Sequence, residues 1–168
     1  METIKRLRGA FERLLEIITV FQMLALAVVV VVAVIYRWLG SSLSWYDEIA
    51  AIQLAWLTYY GSALAAVKRS HIGVPAVVNA LSPRIRVPLF FLSEFIVIGF
   101  FVVLAWIGIT VQEALEGDNL VSLPNVPTTL TQSVIPIGAV LFIIAQLLSF
   151  PEEYENAKSE DGRLSATE

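Results

Sequence analysis

Residues 17–36 form an apolar stretch without one charged side chain, and stretches 49–67, 87–112 and 121–151 repeat the pattern with a single exception, Glu94 in the third. A helix rises about 1.5 Å per residue, so about 20 residues cross a hydrocarbon core about 30 Å thick. A soluble domain would instead show helices of about 11–12 residues with polar faces. The pattern predicts an all-α integral membrane protein with four transmembrane helices over about 14–37, 45–67, 84–113 and 128–150. Residues 1–151 then form one membrane domain, and 152–168 form a polar tail expected to be disordered.

Charged residues make up 15% of the chain, against about 25% in ordinary globular domains. That leaves no material for a separate soluble domain. Cysteine is absent and histidine occurs once, as His71. Disulfides, a thiolate nucleophile, Cys-ligated metal or iron–sulfur sites, and multi-histidine zinc or haem sites are thereby excluded for this chain alone. No basic, aromatic-interleaved surface suggests nucleic-acid binding. Lys5, Arg6 and Arg8 precede the first apolar run as in a secretory signal, but the run exceeds a signal's apolar region, and Glu12, Arg13 and Glu16 intervene. An uncleaved first span is expected.

Basic residues divide unevenly between the loops. The N-terminal segment carries Lys5, Arg6, Arg8 and Arg13, the loop between spans two and three carries Lys68, Arg69, Arg84 and Arg86, and the C-terminal tail carries Lys158 and Arg163. Four spans put these three regions on one side, leaving Arg37 alone opposite them among the 11 basic residues. The positive-inside rule then predicts both termini in the cytoplasm. The outward loops are acidic, with Asp47, Glu48, Glu113, Glu116 and Asp118. Tyr36, Trp38, Trp45, Tyr46 and Trp106 lie near the outer ends of the spans, where amphipathic rings favour the interface.

Ile4, Leu7, Phe11 and Leu14 fall at helical spacing among charged residues, which predicts a short interfacial helix leading into span one. Its basic face suits anionic lipid headgroups, though a solvated helix start fits equally. Ser44 and Asp47 have capping-box spacing, and Asp47 and Glu48 together suit a positive helix end. Ala51, Ala55, Ser62 and Ala66 share one face of span two, and Gly61 with Ala65 adds a second small pair. Gln53, Trp56 and Tyr60 form a separate stripe, so span two is expected to meet protein on both faces. Pro83 suits a first helical position, and Pro88 either starts the helix proper or kinks it. The apolar segment 74–81 is too short to span and is expected to lie in the interface. Span four should begin near Thr128 and bend at Pro136.

Glu94 is a functional candidate, because an ionisable group inside a span is costly. Gln53 and Gln22 lie at comparable depths and could join it in one polar layer tying spans one, two and three. A contact with a partner protein and an ion-coupling site are the alternatives, but one carboxylate with two amides makes a poor sodium cage. His71 follows Lys68 and Arg69 with no base or nucleophile in view, so a polar contact is expected there rather than catalysis.

The series Arg37 … Ser44-Trp45-Tyr46-Asp47-Glu48 … Trp56 … Gly61-Ser62-Ala63 … Lys68-Arg69-Ser70-His71-Ile72, with Ile135-Pro136-Ile137-Gly138 further on, resembles the small membrane subunit of tripartite ATP-independent periplasmic (TRAP) transporters, the DctQ-like proteins. The similarity covers about residues 13–150. One departure is Pro75, where the family often has an acidic residue shortly after the His-Ile-x-Val segment. The resemblance implies a non-enzymatic scaffold of a multi-pass bacterial inner-membrane complex. A periplasmic substrate-binding protein would capture a solute, commonly an organic acid anion. A large multi-span membrane subunit would carry it inward by an elevator-like movement driven by a sodium gradient. Sodium would bind that large partner, and this chain would hold no cofactor, metal or catalytic group. Arg37, Trp45, Asp47, Glu48, Gln53, Trp56, Tyr60, Gly61, Lys68, His71 and Glu94 are the candidate subunit-contact or structural residues. The competing readings are a self-assembling channel or exporter, which needs a polar stripe lining water, and a non-catalytic subunit of a redox complex, which needs cofactor ligands.

Overall fold

The computed structural model describes residues 2–68 and 83–158. Among them the chain is helical, and four helices are long and apolar enough to cross a membrane. Helix α1 spans Glu2–Trp38, α2 Tyr46–Lys68, α3 Pro83–Ala114, α4 Thr128–Gln132 and α5 Val134–Lys158. Lipid offers the backbone no hydrogen-bond partners, so each span bonds its own N–H and C=O groups. Hydroxyls follow the same rule. The exposed Thr58, Ser93 and Thr110 each donate to a carbonyl of their own helix, those of Leu54, Phe90 and Trp106.

The interfacial helix expected before span one is no separate element. Nothing between Glu2 and Trp38 breaks the hydrogen-bond ladder, so α1 runs unbroken for 37 residues. It stops at Gly40, whose φ of 79° is open to a residue without Cβ. The Gly40 N–H donates to the Arg37 carbonyl at 3.2 Å and the Ser41 N–H to that of Tyr36 at 3.1 Å. This is the paired terminal bonding that satisfies the last carbonyls of a helix.

Helix α3 starts at Pro83 and runs through Pro88, so the helix proper does not wait for the second proline. Span four begins at Thr128 as expected, and it is interrupted one turn later, just before Pro136. Proline has no N–H for the Gln132 carbonyl, and its ring crowds that oxygen. The ladder therefore breaks at Ser133, between α4 and α5. Helix α5 continues through Pro151 to Lys158, beyond the expected end of the span.

Helix α5 is the centre of the bundle. It packs against α3 on one side and α2 on the other, and α2 packs against α1. Leu15, Ala63, Ala66, Val67, Phe142 and Ala145 form the buried core near the end that carries both termini. Phe101 and Phe142 stack with centroids 3.7 Å apart, joining α3 to α5. Two glycines set the close approaches. A Cβ on Gly138 would lie 2.7 Å from Cβ of Tyr59, and one on Gly108 would lie 2.9 Å from Cδ of Pro136. Small residues allow such packing where lipid supplies no hydrophobic drive.

Candidate functional site

The residues that could serve a function fall into three joints and a set of open faces. The first joint lies at the end carrying the termini. Arg8 Nη1 donates to Glu152 Oε2 at 2.6 Å, and Arg8 Nη2 donates to the Val67 carbonyl at 2.7 Å. One side chain of α1 thus holds the last turn of α2 and the far end of α5. Lys68 joins the same region, with Nζ 3.0 Å from Glu16 and 3.9 Å from Glu12. Phe90, Phe91, Phe150 and Tyr154 form an aromatic cluster between α3 and α5 nearby.

The second joint lies inside the bundle. Gln146 Nε2 donates to Glu94 Oε1 at 2.7 Å, with both residues buried. The expected layer of Glu94 with Gln53 and Gln22 does not form. Helix α3 packs on α5 rather than on α1 or α2, so the carboxylate meets the amide of span four instead. Gln53 Oε1 and Glu94 Oε2 are buried without a hydrogen-bond partner among the described residues. Gln146 carried the same signal as Gln53, an amide within an apolar run, but its partner depends on which helices are neighbours.

The third joint lies at the opposite end. Glu48 accepts the Val121 N–H at 3.2 Å and the Ser122 N–H at 2.9 Å, and Ser122 Oγ donates to the Ser44 carbonyl at 3.1 Å. The loop between α3 and α4 is thereby fastened to the start of α2. The capping-box expectation needs correction here. Ile49 N–H donates to the Trp45 carbonyl, so Trp45 and not Ser44 takes the capping position. Glu48 binds loop amides rather than only facing the helix dipole. Close by, Trp56 Nε1 donates to the Thr131 carbonyl at 2.9 Å. That bond satisfies an oxygen just before the Ser133 break.

Other expected residues remain apart from these joints. Asp47 is exposed beside Tyr46 at the start of α2. Trp45 is half-buried, and Tyr60 is half-buried beside Trp56, their centroids 6.1 Å apart. Arg37 stands exposed at the end of α1. His71 lies outside the described residues, as does the segment 74–81. The expected small-residue packing face of α2 is only partly used. Ala66 is buried, together with Ala63 and Val67, but Ala51 and Ala55 are exposed, and Gly61 has no atom within 4 Å of a Cβ position. Ala51 and Ala55 thus leave the first half of α2 open and Gly61 part of its second half, and the apolar faces of α1 and α3 are open as well, where Trp38, Phe95 and Trp106 are 85%, 78% and 75% exposed.

A family model described as tripartite ATP-independent periplasmic transporters, DctQ component, matches residues 26–155. The chain belongs to the DctQ family. It is thus the small component of a TRAP transporter and a membrane protein, as the residues from Arg37 to Gly138 suggest. No curated protein matches the chain. The matched stretch contains the second and third joints whole. Arg8, Glu12 and Glu16 precede it, so the first joint draws on residues outside the shared DctQ core. Among the described residues no cluster of His, Asp or Glu could hold a metal ion.

Proposed function

We propose that this chain is the fixed scaffold of its TRAP transporter, lodged in the inner membrane with both termini in the cytoplasm. A large multi-span membrane subunit carries the solute beside it, and a periplasmic binding protein delivers that solute. The cargo is an organic anion of the carboxylate class, and the sodium gradient acts through ions held by the large subunit.

One observation carries the scaffold reading. Side-chain joints fasten the bundle at both membrane ends and inside it, while the faces of α1, α3 and outer α2 stay unused. Clasped helices resist relative motion, and open small-residue faces let another backbone approach. The uneven distribution of basic residues supports the orientation. The resemblance to DctQ-like subunits supports the partner and cargo.

Purification in mild detergent tests the reading. Stoichiometric recovery of this chain with a larger polytopic subunit supports it. Recovery as a homo-oligomer that passes ions across liposomes refutes it in favour of a channel.

A further inference from the structure

We propose that Arg13 holds the phosphate of an anionic phospholipid at the membrane face that carries both chain termini. Depth is the first argument. Helix α1 has 37 residues, hence a length of about 55 Å, well beyond a hydrocarbon core of about 30 Å. Arg37, Trp38 and the turn at Gly40 mark its opposite end. Counting back about 20 residues from Arg37 puts the inner edge of the hydrocarbon near Ile17. Arg13 lies one turn further, about 6 Å out, within the headgroup layer of about 5–8 Å.

Pairing is the second argument. The other cations of this region that reach the bundle are used, Arg8 by Glu152 and Val67, and Lys68 by Glu16 and Glu12. Arg13 is exposed and has no carboxylate within ion-pair distance among the described residues. It lies on the outward face of α1. Leu15 and Phe11 meet the core, whereas Leu14, Ile17 and Phe21 are exposed in line with Arg13.

Shape is the third argument. Gly9 and Ala10, one turn before Arg13, carry little bulk and leave a shallow, open groove along one face of α1, lined by Gly9, Ala10, Arg13, Leu14 and Ile17. Nothing lies within 4 Å of a Cβ position on Gly9. A phosphate seated there meets the guanidinium fork, which binds phosphate bidentately. The acyl chain then runs along Leu14, Ile17 and Phe21 toward the bilayer centre. Lys5 and Arg6 are exposed further out and add positive potential, which favours an anionic headgroup over a zwitterionic one.

The test uses the complete chain together with its transporter partners, reconstituted in nanodiscs of equal phosphatidylglycerol and phosphatidylethanolamine. Lipid retained after transfer to mild detergent is counted by mass spectrometry, with helicity followed in parallel. The wild type should retain phosphatidylglycerol several-fold over phosphatidylethanolamine. Arg13→Gln removes the charge and should cut that preference at least threefold. Ala10→Leu fills the groove but keeps the charge, and should cut it similarly. A wild type without preference overturns the assignment, and so does a preference unchanged in either variant. If Arg13→Gln sheds the large membrane subunit while lipid retention holds, the face belongs to that protein and the assignment is wrong.

Discussion

The guanidinium of Arg8 lies 2.7 Å from the backbone carbonyl of Val67, so a side chain from the start of α1 closes the end of α2. The last carbonyls of a helix lack intrahelical partners, and a cation there satisfies both their lone pairs and the negative helix end. The same guanidinium reaches Glu152, which adds α5 to the joint.

Arg8→Met should therefore cost about 2–3 kcal/mol, because a charged donor is lost from two acceptors at once. Lys68→Met should cost under about 1 kcal/mol, since its ion pairs are solvent-exposed and screened by salt. Thermal unfolding in detergent at low and high salt checks both. Equal losses would show that Arg8 holds no special position.

Gln146→Leu should cost about 1–3 kcal/mol by leaving the Glu94 carboxyl without its buried donor. Replacing both residues by leucine should recover most of that loss, as burying apolar side chains leaves no orphaned polar atom. Glu94→Gln should leave assembly and transport intact. Abolished transport in an intact Glu94→Gln complex would assign Glu94 an active role.

Gly138→Leu should destabilise the bundle by about 1–3 kcal/mol or more, because a Cβ there meets the Tyr59 side chain at 2.7 Å. Gly61→Ala meets no atom within 4 Å and replaces a helical glycine, so it should stabilise the isolated chain by about 0.5–1 kcal/mol. Gly61→Leu should leave the isolated chain folded and weaken recovery of the large membrane subunit. Unchanged recovery would place the partner on another face.

Much of this architecture was legible in the residues. Four apolar runs of spanning length, Pro83 at a helix start and Thr128 at another are local signals, and each helix formed where they point. What escaped depends on neighbours. Glu94 was visible as a costly group, but only the placement of α3 against α5 selects Gln146 over Gln53. Gly61 and Gly138 both sit in apolar helices, and only packing shows that one faces open space and the other a tyrosine. Glu48 has the sequence context of a helix-start acid. Its second use, holding Val121 and Ser122, requires a loop that returns some 70 residues later in the chain.

Glu48→Ala should free that loop without unfolding the bundle. Amide exchange at Val121 and Ser122 should rise about tenfold or more, while amides in the middle of α5 stay protected. Exchange rising equally in both places would mean that Glu48 supports the whole fold.

The central claim is that the bundle stays closed while the transporter works. Helices α2 and α5 approach closely at Tyr59 and Gly138, where a Cβ on Gly138 would lie 2.7 Å from Cβ of Tyr59, so a disulfide, which needs Cβ atoms about 3.5–4.5 Å apart, forms there after a local shift of about 1 Å. The measurement is solute uptake by proteoliposomes whose complex carries Tyr59→Cys and Gly138→Cys, before and after oxidation. A fixed scaffold predicts uptake within about twofold in the two states. Uptake lost on oxidation and restored by reductant would show that α2 and α5 must part, and would contradict the account.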